Sequence, residues 1–246
     1  MKVDIITLFP EMFKGPFDES IINRAKVKKL VDINIHNLRD WATDKHKTVD
    51  DRPFSGGVGM ILKVDVMSNA ITSLKQQASS EIRGDKNTKW SRKRHRLVLM
   101  DAGGKKFDQK KAEEYSKLDY LQLVTGHYEG VDYRVHEHLV DEVISIGDFV
   151  LTGGEIPAMA VTDAVVRLIP GVLEKPEATQ FESFSPYTIH HSPITRLEHP
   201  QYTRPADFQE WKVPEVLLSG NHKEIKKWQE KKAIEITKKN RPDLIR

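Results

Sequence analysis

The sequence predicts an α/β fold on a mainly parallel sheet, followed by a small helical C-terminal domain. Three observations carry this. Short apolar runs alternate with helical periodicities over residues 1–170. Three runs end in glycine turns: Leu121–Gly126 enters GHYEG, Val143–Gly147 enters SIGDFVL, and TGGE opens a helix with almost no charge. After Pro170–Gly171 the periodicity stops and resumes as one basic helix near the end.

In order, Lys2–Phe9 alternates Val3 and Ile5 and reads as a strand ending at Pro10. Asp18 or Ser20 can cap a helix to about Leu30. Val31–His36 reads as the second strand. The polar segment Leu38–Met60, with Gly56, Gly57 and Gly59, is long enough to be functional and matches neither a dinucleotide fingerprint nor a P-loop. Met67, Ala70, Ile71 and Leu74 keep helical spacing, and residues 80–96 read as a surface excursion. Arg96–Met100 is a strand followed by a DAGGKK turn, Phe107–Leu118 a helix and Tyr120–Thr125 a strand. Thr152 and Glu155 fit a capping box, with Pro157 in the first turn. From Ile156 to Ile169 the helix is apolar nearly all round, which predicts burial. Within it Asp163 and Arg167, four apart, form a local ion pair or send Arg167 into a site or subunit interface. Residues 172–206 read as a linker or lid, and Asn221 with Glu224 begins the last helix.

The bulk properties narrow the function. The 246 residues are 38% hydrophobic and 30% charged, which suits a globular chain. No apolar run is long enough to span a membrane, and MKVDIITLF lacks the shape of a signal peptide, so a cytoplasmic protein is expected. The absence of cysteine removes disulfides, thiolate metal sites and cysteine nucleophiles. Net charge is only +3, but residues 83–96 hold seven Lys/Arg against one Asp, and residues 221–246 nine against four acids. Such stretches suit a polyanion partner or solvated helix faces. Metal binding by His136 and His138 is not expected, because i and i+2 on a helix do not face one another; His190–His191 reads as solvated. Glu129, between Tyr128 and Gly130, is either an exposed turn acid or an acceptor for an amine or a base edge.

Beyond these readings, ITLFPEMF (6–13), VDDRPFSGGVGM (49–60), TGHYEGVD (125–132), SIGDFVLTGGEIPAM (145–159), RLIPGVL (167–173), QYTRP (201–205) and VLLSGNH (216–222) closely resemble the bacterial tRNA (guanine-N1)-methyltransferases of the TrmD type. The resemblance runs in order over nearly the whole chain. It implies a trefoil-knotted fold of the SPOUT class, which connection rules alone would not suggest. It implies methyl transfer from S-adenosylmethionine to N1 of the guanosine at tRNA position 37, by a homodimer with shared active sites, and a Mg2+ requirement of which nothing in the sequence itself gives a sign. The implied layout is a knotted catalytic domain at 1–171, a linker or lid at 172–200 and a tRNA-binding domain at 201–246.

Carried over by position, the cofactor pocket is expected from Leu99, Gly104, Gly126, Tyr128, Glu129, Gly130, Ser145, Ile146, Gly147, Asp148, Phe149, Val150, Leu151, Gly153, Gly154 and Pro157. Arg167 matches the arginine that contacts the target base across the dimer, and Asp50, Arg52 and Gly59 sit in the loop expected beside the guanine. Glu182, with Ser183 and Phe184, stands where the family carries its aspartate general base; Glu177 is the alternative. Ala102 replaces a usual proline and Phe149 a usual tyrosine. Residues 80–95 look inserted, and the chain stops at Arg246, short of helices that commonly close the second domain. The glutamate and the short end motivate one other expectation, a catalytically impaired cofactor- and RNA-binding homologue.

Overall fold

The structure, a computed structural model, describes residues 1–54, 56–84, 94–175, 179, 182–184, 186–189 and 192–245. The chain divides into two compact units, Met1–Glu174 and Lys175–Arg246.

The first unit is an α/β sandwich around a five-stranded sheet of β1 (Lys2–Thr7), β2 (Asp32–Asn37), β5 (His95–Lys106), β6 (Tyr120–Thr125) and β7 (Glu142–Ser145). Their order is β2-β1-β6-β5-β7 and every pairing is parallel. Alternation sends side chains to both faces, and both are covered by helices. Val3, Ile5, Val98, Met100, Leu121 and Leu123 pack with α1 (Ser20–Val27), α3 (Gln109–Tyr115) and α5 (Glu155–Val166). Ile6, Leu97, Leu99 and Val124 pack with α2 (Val64–Gly84) and α4 (Tyr133–His138). Each such fully buried side chain contributes about 1.5–3 kcal/mol of transfer free energy. The long segment after β2 contains a short antiparallel pair, β3 (Asp50–Asp51) with β4 (Ile61–Leu62).

Four local expectations are corrected. DAGGKK is no turn: β5 runs to Lys106, shifts register between Met100 and Lys105, and then pairs Lys105 with Ile144 and Lys106 with Ser145. Neither Asp18 nor Ser20 caps α1, whose N-cap is Glu19 with no side-chain bond, while Asp18 takes hydrogen bonds from Gly15 N–H and Lys26 Nζ. The α5 capping box does not form. The N-cap is Gly154, and Glu155 turns inward to accept from Thr7 and Thr125. Nor is α5 buried all round in the single chain: Ile156 is 48% exposed, and Ala160 and Asp163 also face outward.

The second unit holds two small hairpins, β8 (Pro186–Ile189) with β9 (Ser192–Thr195) and β10 (Asp207–Phe208) with β11 (Trp211–Lys212), and the helices α6 (Glu215–Leu218) and α7 (His222–Asn240). The sequence shows little periodicity where the first hairpin forms. The Asn221 side chain caps α7 by accepting from Glu224 N–H at 3.4 Å. Trp228 packs near His199 and Tyr202, and Thr237 is buried, its hydroxyl accepting from Leu197 N–H at 2.9 Å. Lys223, Lys226, Lys227, Lys231, Lys238 and Lys239 are exposed along α7. Most of the basic stretch 83–96, together with Glu177 and His190–His191, lies outside the described residues.

Candidate active site

Open parallel sheets bind ligands beyond the carboxyl ends of their strands. Here the register shift of β5 and the ends of β6 and β7 meet at a cavity of about 290 Å3, near the lower bound for small-molecule sites. Its walls are the three glycine turns. After β6, Tyr128 (φ +59°) and Gly130 (φ +121°) form a tight turn closed by Gly130 N–H to His127 C=O at 3.0 Å. After β7, the Ser145 hydroxyl donates to Gly147 C=O at 2.9 Å and accepts from Gly147 N–H at 3.2 Å. The chain then returns to β6, where Gly153 bridges His127 and Gly154 N–H bonds Gly126 C=O at 2.8 Å. The return is tight, since a Cβ on Gly154 would lie 2.8 Å from Thr125 Cα and 2.9 Å from Gly126 N.

Of the residues expected around a cofactor, Gly126, Tyr128, Glu129, Gly130, Ser145, Ile146, Gly147, Phe149, Val150, Leu151, Gly153, Gly154 and Pro157 line this cavity. Leu99 does not; it is fully buried in the core. Gly104 does not line it either but lets β5 approach β7, because a Cβ there would sit 2.5 Å from Ile144 N. Asp148 lies in the same loop without lining it. Met100, Asp101, Ala102, His127, Ile144 and Thr152 also line the cavity. Of these, sequence reasoning singled out only Ala102 for the site, as the replacement of a usual proline, and missed the others; adjacency to the glycine turns was the only signal for His127 and Thr152.

The loop at 49–60 is docked to this site. Glu129 N–H donates to Met60 C=O at 3.1 Å, Leu62 N–H to Gly130 C=O at 3.0 Å and Asp132 N–H to Leu62 C=O at 3.0 Å. The Glu129 side chain fills the space beside Gly59 (φ +99°), where an added Cβ would meet its Cγ at 2.3 Å. Asp50 pairs with Leu62 in the β3–β4 ladder, and Arg52 lines a groove with Phe54, Lys63 and Tyr133. Arg167 is the half-buried C-cap of α5. Glu182 is half-buried in the second unit. No group of three or more metal-ligating side chains converges among the described residues.

A parallel α/β sheet whose strand ends carry a cavity walled by main-chain turns, with a polar loop pinned to its rim, is the architecture of an α/β domain with its ligand site at a strand-end crevice. The comparisons give the family. A model described as tRNA (Guanine-1)-methyltransferase TrmD matches residues 1–246, and the chain belongs to that family. It is 49% identical over 245 residues to a tRNA (guanine-N(1)-)-methyltransferase of Dictyoglomus turgidum, covering all of this chain and 90% of the relative. It is 47% identical to the proteins of the same name from Bacillus pumilus and Bacillus anthracis strain A0248, covering all of this chain and 92% of each. The fold, a mainly parallel sheet with helices, is that of the SPOUT class, and membership implies a trefoil knot.

Proposed function

We propose that this tRNA guanine methyltransferase takes its methyl group from S-adenosylmethionine and transfers it to N1 of the guanosine at tRNA position 37. The observation that carries the reading is the convergence of three glycine turns on one cavity, with the 49–60 loop held at its rim by Glu129. The lining fits the donor. Main-chain turns offer N–H and C=O groups to its polar parts, and Phe149, Val150, Leu151 and Pro157 offer apolar surface to its adenine. When bound, S-adenosylmethionine supplies an electrophilic methyl group.

The chain's own residues do the rest. Guanine N1 carries a proton and is a poor nucleophile until it leaves. The Glu182 carboxylate accepts that proton. It reaches one methylene further than the family's aspartate. Arg167 stabilises the negative charge that develops toward O6. Asp50, Arg52 and Gly59 seat the base, and the Glu129–Gly59 contact fixes that loop relative to the cavity, so both reactants are held in register. The base leaves its stack to enter.

The active form is a homodimer with shared sites. Supporting this, Phe149 (54%), Val150 (87%) and Ile156 (48%) are exposed in the single chain, an apolar surface that a second copy would cover. The domain layout follows the same reading, with a catalytic domain at 1–171, a linker or lid at 172–200 and a tRNA-binding domain at 201–246; the exposed lysines of α7 suit the anticodon branch. Among the described residues no group of three or more His, Cys, Asp or Glu side chains converges, and no step is routed through a metal. No helix among them is long and apolar enough to cross a membrane, and a substrate of cytoplasmic tRNA implies work in the cytoplasm. Nucleoside mass spectrometry of a tRNA transcript with guanosines at positions 36 and 37, after incubation with labelled donor, tests the reading. 1-Methylguanosine at 37 supports it; methylation elsewhere, or none, overturns it.

A further inference from the structure

Beneath the cavity lies a carboxylate that the reaction above does not use. Glu155 is 1% exposed and does not line the cavity. Its Oε1 accepts from the Thr7 hydroxyl at 2.8 Å and lies 3.1 Å from the Thr125 hydroxyl. Thr7 Oγ1 in turn accepts from Phe9 N–H at 2.9 Å. Oε1 thus ties the end of β1 to the end of β6.

The other oxygen is differently placed. Oε2 is buried without a hydrogen bond, and so is His127 Nδ1, 3.7 Å away. A buried carboxylate oxygen left without a donor is costly, and His127 Nδ1–H offers one. Gly153 keeps the passage between them open: a Cβ there would lie 2.3 Å from Oε2 and 2.5 Å from Nδ1. His127 itself lines the cavity, with its ring 4.6 Å from that of Phe9 and 5.0 Å from that of Tyr128.

We infer that Glu155 is a positioning residue for cofactor binding: its buried carboxylate selects the Nδ1–H tautomer of His127 and fixes that ring in the cavity wall. The inference rests on the cavity being the methyl-donor site. It also gives a role to the start of the ITLFPEMF stretch, since Thr7 and Phe9 brace the same network from β1. The two atoms stand 3.7 Å apart, and closing to hydrogen-bond distance would fix both the ring's rotamer and which nitrogen faces the ligand.

Glu155→Gln is the informative change. Its amide oxygen still accepts from the threonine hydroxyls, while its NH2 group faces Nδ1 and demands the opposite tautomer. Calorimetric titration of S-adenosylmethionine into the full chain would compare the wild type, Glu155→Gln, His127→Ala and the double variant. Each single change should weaken binding about tenfold and the double variant no more than either, because both break one device. In 1H–15N spectra of the ring nitrogens, Glu155→Gln should move the His127 proton from Nδ1 to Nε2. Additive losses, an unchanged affinity in Glu155→Gln or an unchanged tautomer would overturn the inference. If Glu155→Gln does not fold, His127→Ala decides, since it leaves the threonine contacts intact; unchanged affinity there overturns the proposal. A wild-type chain that does not bind the donor would instead defeat the functional reading itself.

Discussion

Replacing Gly154 by alanine isolates the close approach that builds the cavity. Its backbone angles, φ −83° and ψ −2°, are open to any residue, so the change adds no conformational strain. What it adds is a methyl group 2.8 Å from Thr125 Cα and 2.9 Å from Gly126 N, where ordinary contact begins at 3.4 Å. These are backbone atoms, and no rotamer relieves them. The start of α5 and the end of β6 must part by roughly 0.6 Å, the difference between those distances, which also stretches the 2.8 Å bond from Gly154 N–H to Gly126 C=O. Overpacking of this kind costs about 1–3 kcal/mol. At about 2–4 °C per kcal/mol for a unit of this size, the melting temperature should fall by roughly 4–8 °C for a 2 kcal/mol loss. Donor affinity, read by calorimetry, should drop about tenfold or more as the wall shifts. Gly103→Ala is the control: its Cβ meets only the Asp101 carboxylate, at 3.3 Å, and should cost less than about 0.5 kcal/mol. A Gly154→Ala protein with wild-type melting and affinity would refute the reasoning.

Asp4 is fully buried, and although burial raises its carboxyl pKa, hydrogen bonds from His36 and Tyr120 and the charge of Lys2 outweigh this and hold it below the ordinary 3.8. Its stabilisation is therefore complete above that value and lost as pH falls below it. Asp4→Asn should cost about 1.5–3 kcal/mol by urea denaturation at pH 7, a gap that narrows below about pH 4. Gly59→Ala, strained at φ +99° and displacing Glu129, should lower turnover of tRNA about tenfold in steady-state kinetics and, because Glu129 also lines the cavity, weaken donor affinity as well. Arg167→Ala should lower single-turnover methyl transfer by about a hundredfold or more without weakening donor binding, as for loss of a group that stabilises developing charge.

Most of the sheet was legible because its strands alternate or run apolar between turns; Tyr120–Thr125 stands where the pattern put it. That the glycine turns would wall one cavity was legible for the same reason, since their positions fall at strand ends. What was not legible depended on distant partners. DAGGKK has the composition of a turn, yet pairing with Ile144 and Ser145 keeps it in the sheet. Thr152 and Glu155 satisfy a local capping rule, but Thr7, 148 residues away, claims the carboxylate. Leu99 and Gly104 flank the cavity in sequence and serve packing instead. The apolar character of α5 was plain, whereas its exposed edge at Ile156 appears only once the sheet has taken the opposite face.

The most direct test of the central claim is single-turnover methyl transfer to an unmodified tRNA transcript by the wild type and Glu182→Gln, with donor affinity measured on both. The account predicts that both bind S-adenosylmethionine alike and that only the wild type yields 1-methylguanosine at position 37. Transfer at the wild-type rate by Glu182→Gln would contradict the assignment of the base, and a wild type that binds the donor but transfers nothing would contradict the enzyme.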